Sequence, residues 1–317
     1  MRTSLRASLA VAFLLVACDG PVDPGEDGGP RSDVPRSDAP GLDAPAIGVD
    51  APALDAPRMP VGSAGCGMAS PATGELTITV GGDTMDYIVS IPAAYDPDHP
   101  HPLGFGLHGH GRTHANCQAG DCAGFQRVME DEAILVYPKS VSAGWQDDAD
   151  VRTRNLTLFT ALLDRMLADY CVETDRVFVA GTSSGASFSN LVGCRLGDRV
   201  AAVIPVAGGS YRDGCVGTPA ALVIHGVDDP HVLFSYGEDA RDAYRAANGC
   251  MDVTDPPIVD LHARVVATRE SHECADYRGC EGLVRWCEHS EGGYDGSTHG
   301  WPLFGGAAIW EFVSALP

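Results

Sequence analysis

The sequence predicts an α/β fold with a mostly parallel central sheet and helices on both faces. Three observations carry that reading: short apolar runs each closed by glycine or proline, segments of helical period between them, and an alternating pair of runs at the head of the series. "LTITV" (76–80) and "MDYIVSIP" (85–92) alternate, as an antiparallel hairpin with one solvated face does. "LGFGLHG" (103–109), "AILVYP" (133–138), "RVFVAG" (176–181), "AAVIPVAG" (201–208) and "ALVIHG" (221–226) are apolar throughout, as strands covered on both faces are. Between the second and third of these, "RNLTLFTALLDRMLADY" (154–170) sets Leu156, Phe159, Leu163, Met166 and Leu167 near one helical face. "SFSNLVGCRLGDR" (187–199) reads as a helix after the third run, and "GAAIWEFVSAL" (306–316) as the final helix.

Ahead of this region the chain has a different character. Arg2 and Arg6 precede "ASLAVAFLLVA" (7–17), an apolar run too short to span a bilayer, so residues 1–18 are expected to be a signal peptide. Leu15-Val16-Ala17-Cys18 resembles a bacterial lipobox, which makes Cys18 the expected lipidation site; the alternative is a plain secretory signal. Residues 19–60 carry Asp-x-Pro at 33–35, 38–40, 43–45, 50–52 and 55–57. Proline forbids helix and the aspartates repel, so this stretch is expected to be an extended, disordered linker reaching on the order of 100 Å. Residues 61–317 are then one catalytic-sized α/β domain, long enough for one large core.

Charge narrows the partners. The linker holds nine acids and three bases and the leader two bases, so −18 of the formal −22 belongs to residues 61–317. Such a surface disfavours nucleic acid and anionic lipid, and leaves a lipid anchor as the expected membrane contact. Besides Cys18 there are ten cysteines, an even number that in an exported chain implies up to five disulfides; zinc would need a second close pair beside Cys117/Cys122 or Cys274/Cys280. No metal or other cofactor is expected. With six residues of strand below the turn at 181–185 and about three turns of helix after it, Cys171 and Cys194 should both lie near the bottom of the sheet, so a Cys171–Cys194 bridge is expected, stabilising by on the order of 3 kcal/mol.

The chemistry-bearing residues sit at strand ends. Gly181-Thr182-Ser183-Ser184-Gly185 fits G-x-S-x-G after a strand and before a helix, the context in which a serine is lifted above a sheet. Asp228 and Asp229 follow a later strand, and His299 lies in a glycine-flanked loop before the last helix. Each alone has a bland reading, a solvated turn or a surface loop, but the order Ser, Asp, His is that of a nucleophile, an orienting acid and a base. A serine hydroxyl needs an imidazole to take its proton, and a buried carboxylate to fix that imidazole's tautomer and stabilise its positive form. An oxyanion hole is expected from the N–H of Ser184 together with that of His110 or Gly111 in "LHGHGRT" (107–113). His108 and His110 are alternatively a metal pair, which their place at a strand end disfavours.

The segments "GCGMASPATG", "YIVSIPAAYDPDHPHPLGFGLHG", "YCVETDRVFVAGTSSGASFSNLVGC", "VIPVAGG", "HGVDDPHV", "ANGC" and "GLVRWCEHSEGG" resemble the secreted feruloyl esterases and polyhydroxybutyrate-depolymerase-like esterases over nearly all of 65–315. That resemblance implies an α/β-hydrolase fold and a serine esterase, with Ser183, Asp229 and His299 as catalytic residues. The family's HG-x-x-D-x-x-V motif falls on His225, Gly226, Asp229 and Val232, which selects Asp229 over Asp228. Two departures stand out: the His299 loop is longer than the family's Gly-Gly-His form, and the Cys117–Cys122 loop looks added. The expected substrate is a feruloyl or related ester on plant cell-wall polysaccharide. The alternatives are a polyhydroxyalkanoate polyester or, in a different class, a non-catalytic polymer-binding surface lipoprotein; a peptidase is weaker. Export is expected, as a membrane-anchored bacterial lipoprotein or an extracellular protein.

Overall fold

The computed structural model describes residues 60–68, 71–122, 124–211, 213–252, 272–290, 292–294 and 296–317. The expected signal peptide with Cys18, and the expected linker apart from Pro60, lie outside the described residues. In chain order the strands are β1 (Gly74–Val80), β2 (Asp83–Ser90), β3 (His101–Leu107), β4 (Ile134–Pro138), β5 (Val172–Thr182), β6 (Ala202–Val206), β7 (Ala220–Gly226), β8 (His272–Asp276) and β9 (Val284–His289). The helices are α1 (His114–Asn116), α2 (Phe125–Met129), α3 (Ala149–Asp169), α4 (Ser184–Arg195), α5 (Phe234–Ala247) and α6 (Gly305–Ser314).

The strands form one sheet in the order β1-β2-β4-β3-β5-β6-β7-β9-β8. From β4 to β9 every pair is parallel, while β1, β2 and β8 add antiparallel edges. Side-chain alternation sends each strand's apolar residues to two separate cores. On β5, Val177 and Val179 join Leu158 and Phe159 of α3 and Phe188 of α4, whereas Phe178 and Ala180 join Phe125 of α2 and Phe312 of α6. Each fully buried phenylalanine or leucine stabilises by about 2 kcal/mol, which is why both faces need helices. The expected strands all form, and β5 runs further than expected.

Helix α3 begins at Asp148, whose side chain accepts from the Val151 N–H, a capping bond on an otherwise orphaned donor. Its buried face is Asn155, Leu158, Phe159, Leu162, Leu163 and Met166, rotated from the expected one, since Leu156 and Leu167 are only half-buried. Five elements carried no clear sequence signal: the short α1 and α2, then α5, β8 and β9. Of α5 only Gly237 and Ala240 are buried, so its apolar stripe is narrow. In the β8–β9 hairpin, Arg285 is 4% exposed and reaches Asp276, its cross-strand neighbour, at 2.6 and 3.1 Å. An ion pair between the buried Arg285 and the half-buried Asp276 joins the two strands, and such charged residues break the apolar run that marks the others.

All ten cysteines of the described region pair: Cys66–Cys171, Cys117–Cys122, Cys194–Cys215, Cys250–Cys280 and Cys274–Cys287. This corrects the expected Cys171–Cys194 bridge. That bridge assumed about six residues of strand, but β5 has 11. Val172 to Gly181 runs beside only His101 to Leu107 of β3, so at about 3.3 Å per residue Cys171 lies roughly 30 Å below Ser183, while α4 at about 1.5 Å per residue carries Cys194 only about 16 Å down. At the lower level Cys171 meets the N-terminal segment, where Ser63 N–H bonds Val172 O at 2.8 Å and Thr174 N–H bonds Val61 O at 2.9 Å. Five disulfides belong to a chain that folds in an oxidising compartment outside the cytosol.

Candidate active site

Strand β5 turns into α4 through Ser183, which has φ 55° and ψ −117°. A non-glycine residue in that region costs about 1–3 kcal/mol, and the surrounding contacts hold it there. Ser183 N–H bonds Val206 O at 3.0 Å, and Ser183 O accepts from Ser187 N–H at 3.0 Å. The flanking glycines are required by close approach. A Cβ on Gly181 would stand 2.3 Å from Gly185 O, and one on Gly185 would stand 2.6 Å from the carbonyls of both Leu107 and His108. The G-x-S-x-G pattern is therefore what lets α4 start directly against the end of β3.

Ser184 is the first residue of α4, so its N–H is one of the orphan donors of a helix N-terminus. The other candidate donors lie on the loop after β3. Gly111 N–H is committed to Ala143 O at 2.8 Å, which removes it and corrects that expectation. Gly109 O accepts from His108 Nδ1–H at 2.8 Å and from Arg112 N–H at 3.1 Å. In a trans peptide the next N–H points the opposite way, so pinning Gly109 O also fixes the direction of the His110 N–H.

His108 organises this loop. Its Nδ1–H goes to Gly109 O, and its Nε2 accepts from Ser140 N–H at 3.2 Å. Both ring nitrogens are thus used by backbone, which excludes the metal-pair reading with His110. Burial pushes the His108 imidazole down to about 4, so the ring is neutral above that pH. Trp145, fully buried, links the two halves of the site: its Nε1–H bonds His108 O at 2.9 Å and its backbone N–H bonds Ser184 Oγ at 2.8 Å. Asn155 of α3 holds that loop, accepting from Val141 N–H at 3.0 Å and donating to Trp145 O at 3.0 Å.

Beyond β7 the two aspartates separate. Asp228 is exposed and offers its carbonyl to Thr298 Oγ1 at 2.9 Å. The Asp229 side chain is fully buried and lies against His299, with Nδ1 2.9 and 2.8 Å from the two carboxylate oxygens. His231 N–H and Val232 N–H both bond Asp229 Oδ1 at 2.8 Å, so the carboxylate is held on one side by backbone and on the other by the imidazole. Gly226 allows the His299 loop to rest on β7, since a Cβ there would stand 2.2 Å from Thr298 O. His299 and Ser183 line one cleft of about 140 Å³ with Cys117, Cys122, Tyr294 and Trp301. Tyr294 is tied to α2 by Arg127, whose Nη2 bonds its hydroxyl at 2.8 Å.

Sequence reasoning passed over Trp145, Asn155 and the place of the Cys117–Cys122 disulfide in the cleft wall. The last had a usable signal, a short disulfide loop directly following the oxyanion segment.

No protein-family model matches the chain. It is 29% identical over 264 residues to feruloyl esterase C of Emericella nidulans, covering 80% of this chain and 91% of the relative. It is 30% identical over 240 residues to the probable feruloyl esterase C of Aspergillus oryzae, covering 73% and 84%. The acetyl xylan esterase from Aspergillus awamori superposes with a TM-score of 0.58 at 16% identity, over 76% of this chain and 99% of that one. The fold is the α/β-hydrolase fold.

Proposed function

As the chain belongs to the feruloyl esterase C family, we propose that it is an exported serine esterase hydrolysing feruloyl or related esters on plant cell-wall polysaccharide. The observation that carries the catalytic assignment is the buried Asp229 carboxylate held on His299, in a loop that shares one cleft with the strained Ser183 turn. Ser183 Oγ attacks the ester carbonyl while His299 Nε2 takes its proton. The negative oxygen of the tetrahedral intermediate sits against the Ser184 and His110 N–H groups, and Asp229 stabilises the imidazolium that forms. The imidazolium returns the proton to the leaving alcohol, and the C–O bond breaks to leave an acyl-Ser183 ester. Water, deprotonated by the same imidazole, then releases the acid and restores the serine.

The aromatic and disulfide wall of the cleft favours a flat aromatic acyl group over a polyester segment, since sulfur and aromatic rings attract one another. Methyl ferulate should be hydrolysed with higher kcat/KM than a short-chain hydroxyalkanoate ester; the reverse preference would assign the protein to polyester. We place the enzyme on a bacterial membrane through lipidated Cys18, with residues 19–60 as the tether. Cys18→Ser should release it from the membrane fraction, and undiminished membrane retention would contradict the anchor.

A further inference from the structure

His225 closes strand β7 with its side chain fully buried, four residues before Asp229. Its Nε2 lies 3.0 Å from Val232 O and 3.4 Å from Asp229 Oδ2. A carbonyl can only accept, so Nε2 carries the proton, and burial keeps the ring neutral by lowering its pKa. The other nitrogen, Nδ1, is buried and has no hydrogen-bond partner among the described residues. It faces Gly237 in the first turn of α5, where an added Cβ would stand 2.4 Å from Nδ1 and 2.7 Å from Cγ. The ring of Phe234 stands perpendicular to the imidazole at 5.9 Å between centroids. A residue that only filled this space would be apolar, because an unpaired buried nitrogen is a cost. What the imidazole supplies is the single N–H given to the turn that carries the acid.

We propose that His225 is a positioning residue for the acid of the site: its Nε2–H, bonded to Val232 O and 3.4 Å from Asp229 Oδ2, fixes the Asp229–Val232 turn to the end of β7. The two backbone bonds to Asp229 Oδ1 are internal to that turn and move with it. Within the same turn, Val232 therefore gives its N–H to the acid and its carbonyl to the strand's last side-chain donor. Through Asp229 the same bond sets where His299 stands relative to Ser183. The inference rests on the esterase reading above and adds to it a residue that does not touch the reacting atoms.

The test uses the purified full chain, with kcat for p-nitrophenyl acetate divided by the number of sites that react with a fluorophosphonate. Misfolded molecules are thereby removed from the count. His225→Leu should lose about 10- to 100-fold in kcat per titrated site with little change in KM, because displaced catalytic groups weaken the transition state more than substrate binding. His225→Gln, which restores an N–H donor on a side chain of similar reach, should recover most of the loss. Gly237→Ala supplies an independent route and carries the test should His225→Leu fail to fold. Alanine favours helix there, so a kcat loss matching that of His225→Leu reports displacement of the ring. Wild-type kcat per site in His225→Leu or in Gly237→Ala, or equal losses in His225→Leu and His225→Gln, would overturn the role of His225. A wild type that neither reacts with the probe nor turns over the ester would overturn the esterase reading as well.

Discussion

Acidification should destabilise the fold through one buried imidazole, and the size of the effect follows from the contacts of His108. The ring's Nδ1–H is given to Gly109 O and its Nε2 accepts from Ser140 N–H, so a second proton would set one donor against another in a buried site. In the unfolded chain the group titrates near its ordinary 6.5, whereas in the fold burial holds it at about 4. Between these values the unfolded chain binds the proton and the native state does not. Stability from this group is therefore complete above pH 6.5, is lost as pH falls towards 4, and levels off below, for a total on the order of 3 kcal/mol. Urea unfolding of wild type and His108→Gln, with disulfides intact, isolates the group at each pH from 7 to 3.5. The wild-type advantage should shrink by about 1.4 kcal/mol per pH unit at its steepest and become flat below about pH 4. A difference between the two proteins that stays constant over the whole range would refute the assignment of His108 as the neutral brace of the oxyanion loop.

Other perturbations separate neighbouring residues. Asp229→Asn should lower kcat by roughly 10³ to 10⁴ by stabilising the wrong tautomer of His299, whereas Asp228→Asn, altering an exposed side chain, should stay within about threefold of wild type; initial rates on p-nitrophenyl acetate distinguish them. Non-reducing peptide mapping should recover Cys66 linked to Cys171 and Cys194 linked to Cys215, and a Cys171–Cys194 peptide pair would contradict the fold at the base of β5. The Cys66–Cys171 bond spans 105 residues and Cys117–Cys122 only 5. Loop-closure entropy therefore predicts a loss of about 4–5 kcal/mol from Cys66→Ser/Cys171→Ser against about 2 kcal/mol for the shorter pair, read as denaturation midpoints.

Much of this architecture was legible because buried parallel strands leave an unbroken apolar run ending in glycine or proline. The same signal placed Ser183 after β5 and both Asp228 and Asp229 after β7, the family resemblance selected Asp229, and chain order pointed to His299, which the fold then sets against Asp229. It failed where burial is achieved by pairing charges, as with Arg285 and Asp276, and where a helix buries only small residues, as α5 does with Gly237 and Ala240. The strand-length error at β5 had a similar origin. "VETD" at 172–175 looks polar, yet the strand continues through it because the backbone of residues 61–63 bonds alongside. Braces such as Trp145–His108 and Trp145–Ser184 join residues 37 and 39 apart in the chain, spacings that carry no periodic signal. The choice between His110 and Gly111 likewise turned on a single backbone bond to Ala143, which no local pattern reveals.

Intact-mass and peptide analysis after treatment with a fluorophosphonate examines the nucleophile itself. One adduct per chain should form, located on Ser183 and not on the adjacent Ser184, with ester hydrolysis falling in proportion to labelling. Ser183→Ala should take up no label and lose turnover by roughly 10³-fold or more while keeping the wild-type fold. Hydrolysis persisting in Ser183→Ala, or an inactivating adduct on any other residue, would contradict catalysis by Ser183.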